Sequence, residues 1–298
     1  MNLIKHTKLY FILSLIILIP GVVALLAFGL NLSIDFTGGS LLEYKITNQP
    51  TLAEITDIFA EHDVKTEEII FDKDSKVNIK TKPIDAKKSD ELTQALSEKF
   101  TNVQQLSFET VGPSVGRETT KNSITAVIVA SVGILLYIAY AFRNIPKPYS
   151  SFHFGVCAII AMLHDAFVVL GIFAILGHFL NVETDALFIT AILTVIGFSV
   201  HDTIVVFDRI RENLKKLPQS WKFPEIVNYS LVETLNRSLA TSLTVIMTLT
   251  ALFLLGGQSI KHFALALLIG IISGTYSSIF NAAPLLVVWE NRIAKKDK

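Results

Sequence analysis

The chain has 298 residues, of which 51% are hydrophobic, and its 26 Lys and Arg balance 26 Asp and Glu. Balanced charge argues against the basic surplus that a nucleic-acid partner requires, and apolar residues gathered in long blocks exclude an ordinary soluble globule. The single cysteine, Cys157, lies in an apolar run, so no disulfide can form within the chain and the redox compartment is not legible from it.

Lys5 and Lys8 lie in residues 1–8, ahead of an uncharged run at 9–30 long enough to cross a hydrocarbon layer of about 30 Å. No A-x-A-like cleavage site follows, so a retained first span is expected rather than a signal peptide. Pro20 is its candidate kink, tolerated in a packed membrane helix.

From residue 31 to 121 the composition becomes that of a soluble domain. Residues 41–47 alternate as a strand, and 51–61 read as a helix with Thr51 and Glu54 at capping-box spacing. Strands at 68–72 and 76–82 meet through a turn at Lys73, Asp74 and Ser75. Helical period returns at 85–99, with Ala86, Leu92, Ala95, Leu96 and Phe100 on related faces, and 103–111 closes as a strand. The order β-α-β-β-α-β predicts a ferredoxin-like α+β domain. IDFTGGS (34–40) and VGPSVGRE (111–118) bracket it and are expected as hinges between membrane and domain. Gly38, Gly39, Gly112 and Gly116 permit positive φ or close approach there, and Pro113 fixes a direction. Neither motif ends in the Gly-Lys-Ser/Thr of a phosphate loop.

Five further spans are predicted within 122–298, at 123–142, 154–176, 186–207, 238–255 and 263–289. Residues 209–222 read as a basic loop, with turns at 182–185 and 256–261. The fold class is therefore a polytopic α-helical membrane protein, a six-span bundle with an inserted extracytoplasmic α+β domain. Lysine and arginine collect at the amino end, at Arg143 and Lys147, at Arg209, Arg211, Lys215, Lys216 and Lys222, and at Arg292, Lys295, Lys296 and Lys298. The opposite loops hold only Lys261. That asymmetry puts both termini in the cytoplasm and residues 31–121 outside it, as an even number of spans also requires.

The stretch ILTVIGFSVHDTIVVFDRIREN (192–213) carries His201 and Asp202 within a membrane helix. A charge near the bilayer centre costs at least about 2.5 to 3.5 kcal/mol, so it persists where something uses it. Arg237, at the start of the fifth span, differs in depth from Asp202 by roughly 5 to 6 Å, which an arginine laid along its helix covers. The two are expected to pair, either as a static bridge between helices or as a proton switch, burial raising and arginine lowering the carboxylate's proton affinity. His201 points about 100° away on its helix, as a second relay or a packing contact. Asp165, in LHDAF with His164, is either another terminal of a proton path or a carboxylate bonded to hydroxyls of a neighbouring helix. Gly270, Gly274 and Ser278, with Ser273 and Ser277 beside them, read as a close-packing face.

IDFTGG, VGPSVG, LHDAF, VIGFSVHDTIVVFDRIREN, LNRSLATS and GGQSIKHFALALLIGIISGTYSSIF stand in this order along the chain. Together they resemble the SecF family of the bacterial Sec protein-export machinery over nearly the whole length. The resemblance implies a six-span half of an RND-type transporter in the bacterial cytoplasmic (inner) membrane, among membrane lipids. It implies pairing with SecD, work beside the SecYEG channel on preproteins, and YajC and YidC as further partners. The proton gradient would drive export, with no cofactor, no metal and no enzymatic reaction. The resemblance places the family's proton-linked aspartate on Asp202 and its fifth-span arginine on Arg237; a further aspartate of that path belongs to SecD. His201 stands where an asparagine is common, leaving that side chain's role open. Rival readings are an RND-type proton-coupled exporter of small molecules or lipids, which usually needs a larger outer region, an intramembrane enzyme, for which no HExxH spacing exists, and a passive assembly factor.

Overall fold

The computed structural model describes residues 1–47, 50–71, 75–143, 145–218 and 220–296. Lys73 and Asp74 of the expected turn, and Lys298 of the tail, lie outside the described residues. The chain divides into two compact units, Leu32–Ile124 and, together, Met1–Asn31 with Thr125–Lys298.

Unit Leu32–Ile124 contains a helical turn α2 (Ile34–Thr37), β1 (Gly39–Ile46), α3 (Leu52–Glu61), β2 (Thr66–Phe71), β3 (Lys76–Thr81), α4 (Ala86–Lys99) and β4 (Val103–Val111). The sheet order is β2-β3-β1-β4 with every neighbouring pair antiparallel, the ferredoxin-like arrangement. Alternation along β1 buries Leu42, Tyr44 and Ile46, which meet Ile55, Ile58 and Phe59 of α3 and Leu92 and Leu96 of α4. The capping box of α3 is formed: Thr51 Oγ1 accepts from Glu54 N at 3.3 Å, and the Glu54 carboxylate accepts from Thr51 N at 2.8 Å.

Both glycine motifs contain helix. Ser33 Oγ caps α2 by accepting from Asp35 N at 3.2 Å. The next helix, α5 (Pro113–Ala141), begins ten residues ahead of the span expected at 123, because proline at a first helical position has no N–H to lose and a φ already set. The two motifs pack on each other inside this unit. A Cβ on Gly116 would stand 2.9 Å from Gly38 N and 3.0 Å from Phe36 O, so only glycine fits. Gly38 and Gly39 have φ of +73° and +131°, again glycine backbone, turning the chain from α2 into β1.

The other unit holds α1 (Thr7–Phe28), continuous through Pro20, α6 (Ser151–Leu180), α7 (Ala186–Lys216), α8 (Phe223–Leu255), α9 (Gln258–Ser277), a π-helical segment at Ser278–Ala282 and α10 (Ala283–Lys296). Among the described residues, six helices are long and apolar enough to cross a membrane. The third, fourth and sixth of these are central, half or more of their most apolar stretch being buried, whereas the second is almost wholly exposed. Their shared core includes Phe154, Phe173, Phe188, Ile196, Phe207 and Leu286.

Three sequence expectations about helix ends are corrected. Residues 209–216 are helix, not loop: Arg209–Glu212 (2.6 Å) and Lys216–Glu212 (2.5 Å), together with Arg211–Asp208, are same-face pairs that carry α7 onward. The helix that carries the fifth span does not begin at Ser238. α8 starts at Phe223, where Glu225 accepts from Lys222 N at 2.8 Å, and a buried stripe of Ile226, Val227, Ser230, Leu231 and Thr234 continues it. The sixth span is not one regular helix but changes to π geometry at Ser278, a form that concentrates at functional sites.

Candidate functional site

The site is built where α6, α7, α8 and α9 present polar side chains to one another. Glycine makes this possible on α9. A Cβ on Gly270 would lie 2.1 Å from Val195 Cγ2, and one on Gly274 3.3 Å from Ser199 Cα and 3.6 Å from Asp165 Oδ2. α9 therefore rests on α7 at backbone distance, close enough for short hydroxyl side chains to cross.

Asp165 of α6 is wholly buried. Its Oδ2 accepts from Ser199 Oγ of α7 at 2.5 Å and from Ser277 Oγ of α9 at 2.6 Å; its Oδ1 accepts from Ser273 Oγ of α9 at 2.7 Å. His164 Nδ1 stands 3.0 Å from the same Oδ1, and its Nε2 is buried without a partner. A carboxylate receiving this many donors has its lone pairs satisfied within the protein.

Asp202 of α7 is also buried, but its Oδ2 has no hydrogen-bond partner. The polar side chain facing it is Ser242 of α8, while the charges of His201 and Asp165 reach it only at longer range. Ser242 Oγ accepts from Thr275 Oγ1 of α9 at 2.6 Å, and Thr203 Oγ1, beside Asp202, pairs with Ser278 Oγ at 3.0 Å. A buried carboxylate oxygen left unpaired is costly in its charged form, and taking a proton relieves that cost.

The expected ion pair with Arg237 is not formed. Arg237 is exposed and makes no salt bridge among the described residues. The reason is azimuth rather than depth. Ser238 and Ser242, one turn apart, are the buried face of α8, and Arg237 precedes Ser238 and is turned about 100° away from it. His201 is exposed as well, on the outward side of α7. Gly112 has open space around it, a Cβ there meeting only Ser114 Oγ at 3.9 Å. Among the described residues no three metal-binding side chains come together. The hydroxyls of Ser199, Thr203, Ser242 and Thr275 were not singled out by the sequence. The signal was available in Ser199, which precedes Asp202 by three residues and so shares its helix face.

A bundle of apolar helices with ionisable groups buried inside it, carrying an inserted α+β unit, defines a multi-pass helical membrane protein. Comparison with known proteins narrows this. Residues 91–292 match the family described as protein export membrane protein SecD/SecF, C-terminal, and residues 23–49 match the SecD/SecF GG motif. The chain is 49% identical to the protein translocase subunit SecF of Thermobaculum terrenum, over 98% of this chain and 94% of that protein. It is 40% identical to the SecF of Anaerolinea thermophila, with coverage of 98% and 94%. The crystal structure of SecDF, a translocon-associated membrane protein from Thermus thermophilus, superposes with a TM-score of 0.83 at 33% identity, over 98% of this chain and 39% of that one. The chain thus spans about two-fifths of that SecDF. It belongs to the SecF branch of the SecD/SecF family.

Proposed function

We propose that this chain works with SecD as a proton-driven accessory subunit of the Sec translocase, promoting export of preproteins through SecYEG. The family assignment and the relatives' names support the translocase role. The observation that carries the proton step is the Asp202 carboxylate, buried in α7 with Oδ2 unpaired. Ionised, it draws the Arg237 guanidinium toward the bundle; protonated, it releases it. One charge crossing about 100 mV supplies about 2.3 kcal/mol, enough to bias α7 and α8 between two packings. Arg237 is exposed on α8, and an exposed guanidinium in a span is costly in lipid, so SecD covers it and offers the further acid of the path. The motion reaches the preprotein through Leu32–Ile124, with Gly38, Gly39, Gly112, Pro113 and Gly116 setting the hinges.

Both termini face the cytoplasm of a bacterial inner membrane, as the distribution of lysine and arginine requires. The chain moves protons and helices and breaks no covalent bond. YajC and YidC are partners on the strength of the family resemblance. The test is complementation in cells depleted of the natural subunit. Asp202→Asn at normal abundance is expected to leave preprotein export at the depleted level; export equal to wild type would overturn the proton role.

A further inference from the structure

We propose that Asp165 is a positioning residue for the proton step, fixing where the Asp202 carboxylate points by pinning residues 273–278 of the sixth span. The inference rests on Asp202 being the proton carrier. Asp165 holds this stretch at two points one turn apart, Ser273 at 2.7 Å and Ser277 at 2.6 Å. Between and just after those points come Thr275 and Ser278, whose hydroxyls bond to Ser242, which faces Asp202, at 2.6 Å, and to Thr203, the residue after it, at 3.0 Å. Asp165 also holds α7 directly, through Ser199 at 2.5 Å. Ser199 lies three residues before Asp202, on the same helix face. A single carboxylate thus sets both the rotation of the helix that bears Asp202 and the hydroxyl frame opposite it.

The location of the π segment agrees with this. It begins at Ser278, directly after the pinned Ser277, so the regular helix ends where Asp165 stops holding it. Losing the acceptor at Asp165 frees hydroxyls on two helices at once. An asparagine has the same shape, but its amide presents donors to the Ser199 and Ser277 hydroxyls or to Ser273 where a carboxylate oxygen accepted. The other ionisable groups on the packed helices do not duplicate this role. His164 leans on Asp165 itself, His201 and Arg237 are exposed, Glu233 is paired with Arg209 at 3.1 Å, and His262 is near the start of α9.

The experiment is infrared difference spectroscopy between high and low pH on the full chain reconstituted with SecD, alongside export measured in cells. Asp202→Asn should remove one carbonyl stretching band of a protonated carboxyl. Asp165→Asn should leave that band present but move its frequency, and lower export at least about 10-fold, equivalent to about 1.4 kcal/mol, at unchanged chain abundance. Ser277→Ala should shift the same band, and Ser277→Thr, which keeps the hydroxyl at the cost of an added methyl, should restore it. Packing alone would order the serine variants the other way. A band lost in Asp202→Asn yet unmoved in Asp165→Asn and in Ser277→Ala overturns the positioning role and leaves the proton role standing. No band lost in Asp202→Asn overturns both. If Asp165→Asn reduces chain abundance, the Ser277 pair decides alone.

Discussion

The contact of α9 with α7 offers the sharpest test of the packing beneath the site. In Gly270→Ala, the new Cβ would stand 2.1 Å and 2.6 Å from the two γ carbons of Val195 and 2.9 Å from its Cβ. Rotating the valine cannot clear the clash, because its Cβ does not move with χ1. Bringing the 2.1 Å contact to an ordinary 3.4 Å takes a separation of about 1.3 Å (3.4 − 2.1), and overpacking of this kind costs typically about 1–3 kcal/mol. Alanine returns about 1 kcal/mol in helix propensity, leaving a net loss of about 0–2 kcal/mol. Val195→Ala removes both γ carbons and should cost about 1–2 kcal/mol by itself. Combined, the two changes relieve each other, so the double variant should be more stable than the sum of the singles by at least about 1 kcal/mol. Reversible unfolding of the purified chain in detergent measures all four corners of the cycle. Additivity within about 0.5 kcal/mol, or a Gly270→Ala variant more stable than wild type, would show that α9 does not rest on α7 in this register.

The Leu32–Ile124 unit yields two further expectations. Hydrogen bonds from the Thr51 backbone and hydroxyl hold the Glu54 carboxyl below the usual glutamate range. A depressed carboxyl contributes stability that is full above its unfolded value of about 4.3 and is lost as pH falls through the lower folded value. Amide exchange in α3 should therefore quicken below that point in wild type, and Glu54→Gln should remove this pH step; an identical acid response in the variant would count against the cap. Tyr44, whose phenol is raised above its usual range by burial, bonds through Oη to Thr93 Oγ1 at 3.0 Å. Tyr44→Phe should cost about 0.5–1.5 kcal/mol in the unfolding of this unit, since Thr93 keeps Gln105 as a partner at 3.0 Å; a loss several times larger would mean the ring itself had moved.

The small unit was legible almost element by element, because alternation, capping residues and turn chemistry are local signals. β4 falls on Val103–Val111 as the pattern required, and Thr51 and Glu54 cap α3 as their spacing required. Span number was legible from apolar run length, but helix ends were not. Outside the lipid, α7 continues on charge pairs and α8 begins on an amphipathic stripe, neither of which a hydropathy count registers. Asp202 and Asp165 stood out from their burial cost alone. What eluded the sequence was rotation about the helix axis: Arg237 was expected within side-chain reach of Asp202, while the serine beside it takes the buried face. Hydroxyls of a neighbouring helix on Asp165 were one of its two sequence readings, but which hydroxyls supply the bonds was not legible. A lone serine in an apolar span is common, and only the approach of α9 at Gly270 and Gly274 brings Ser199, Ser273 and Ser277 onto one carboxylate.

In the proposed mechanism one buried acid in the fourth span exchanges a proton as the machine turns over, and proton flux reports on that without any preprotein present. The chain would be reconstituted with SecD into vesicles enclosing a pH-sensitive dye, and a potential imposed across the membrane. Asp202→Asn should bring the dye response down to that of protein-free vesicles, while Asp202→Glu retains a measurable part of it. Flux through Asp202→Asn equal to wild type would contradict the account.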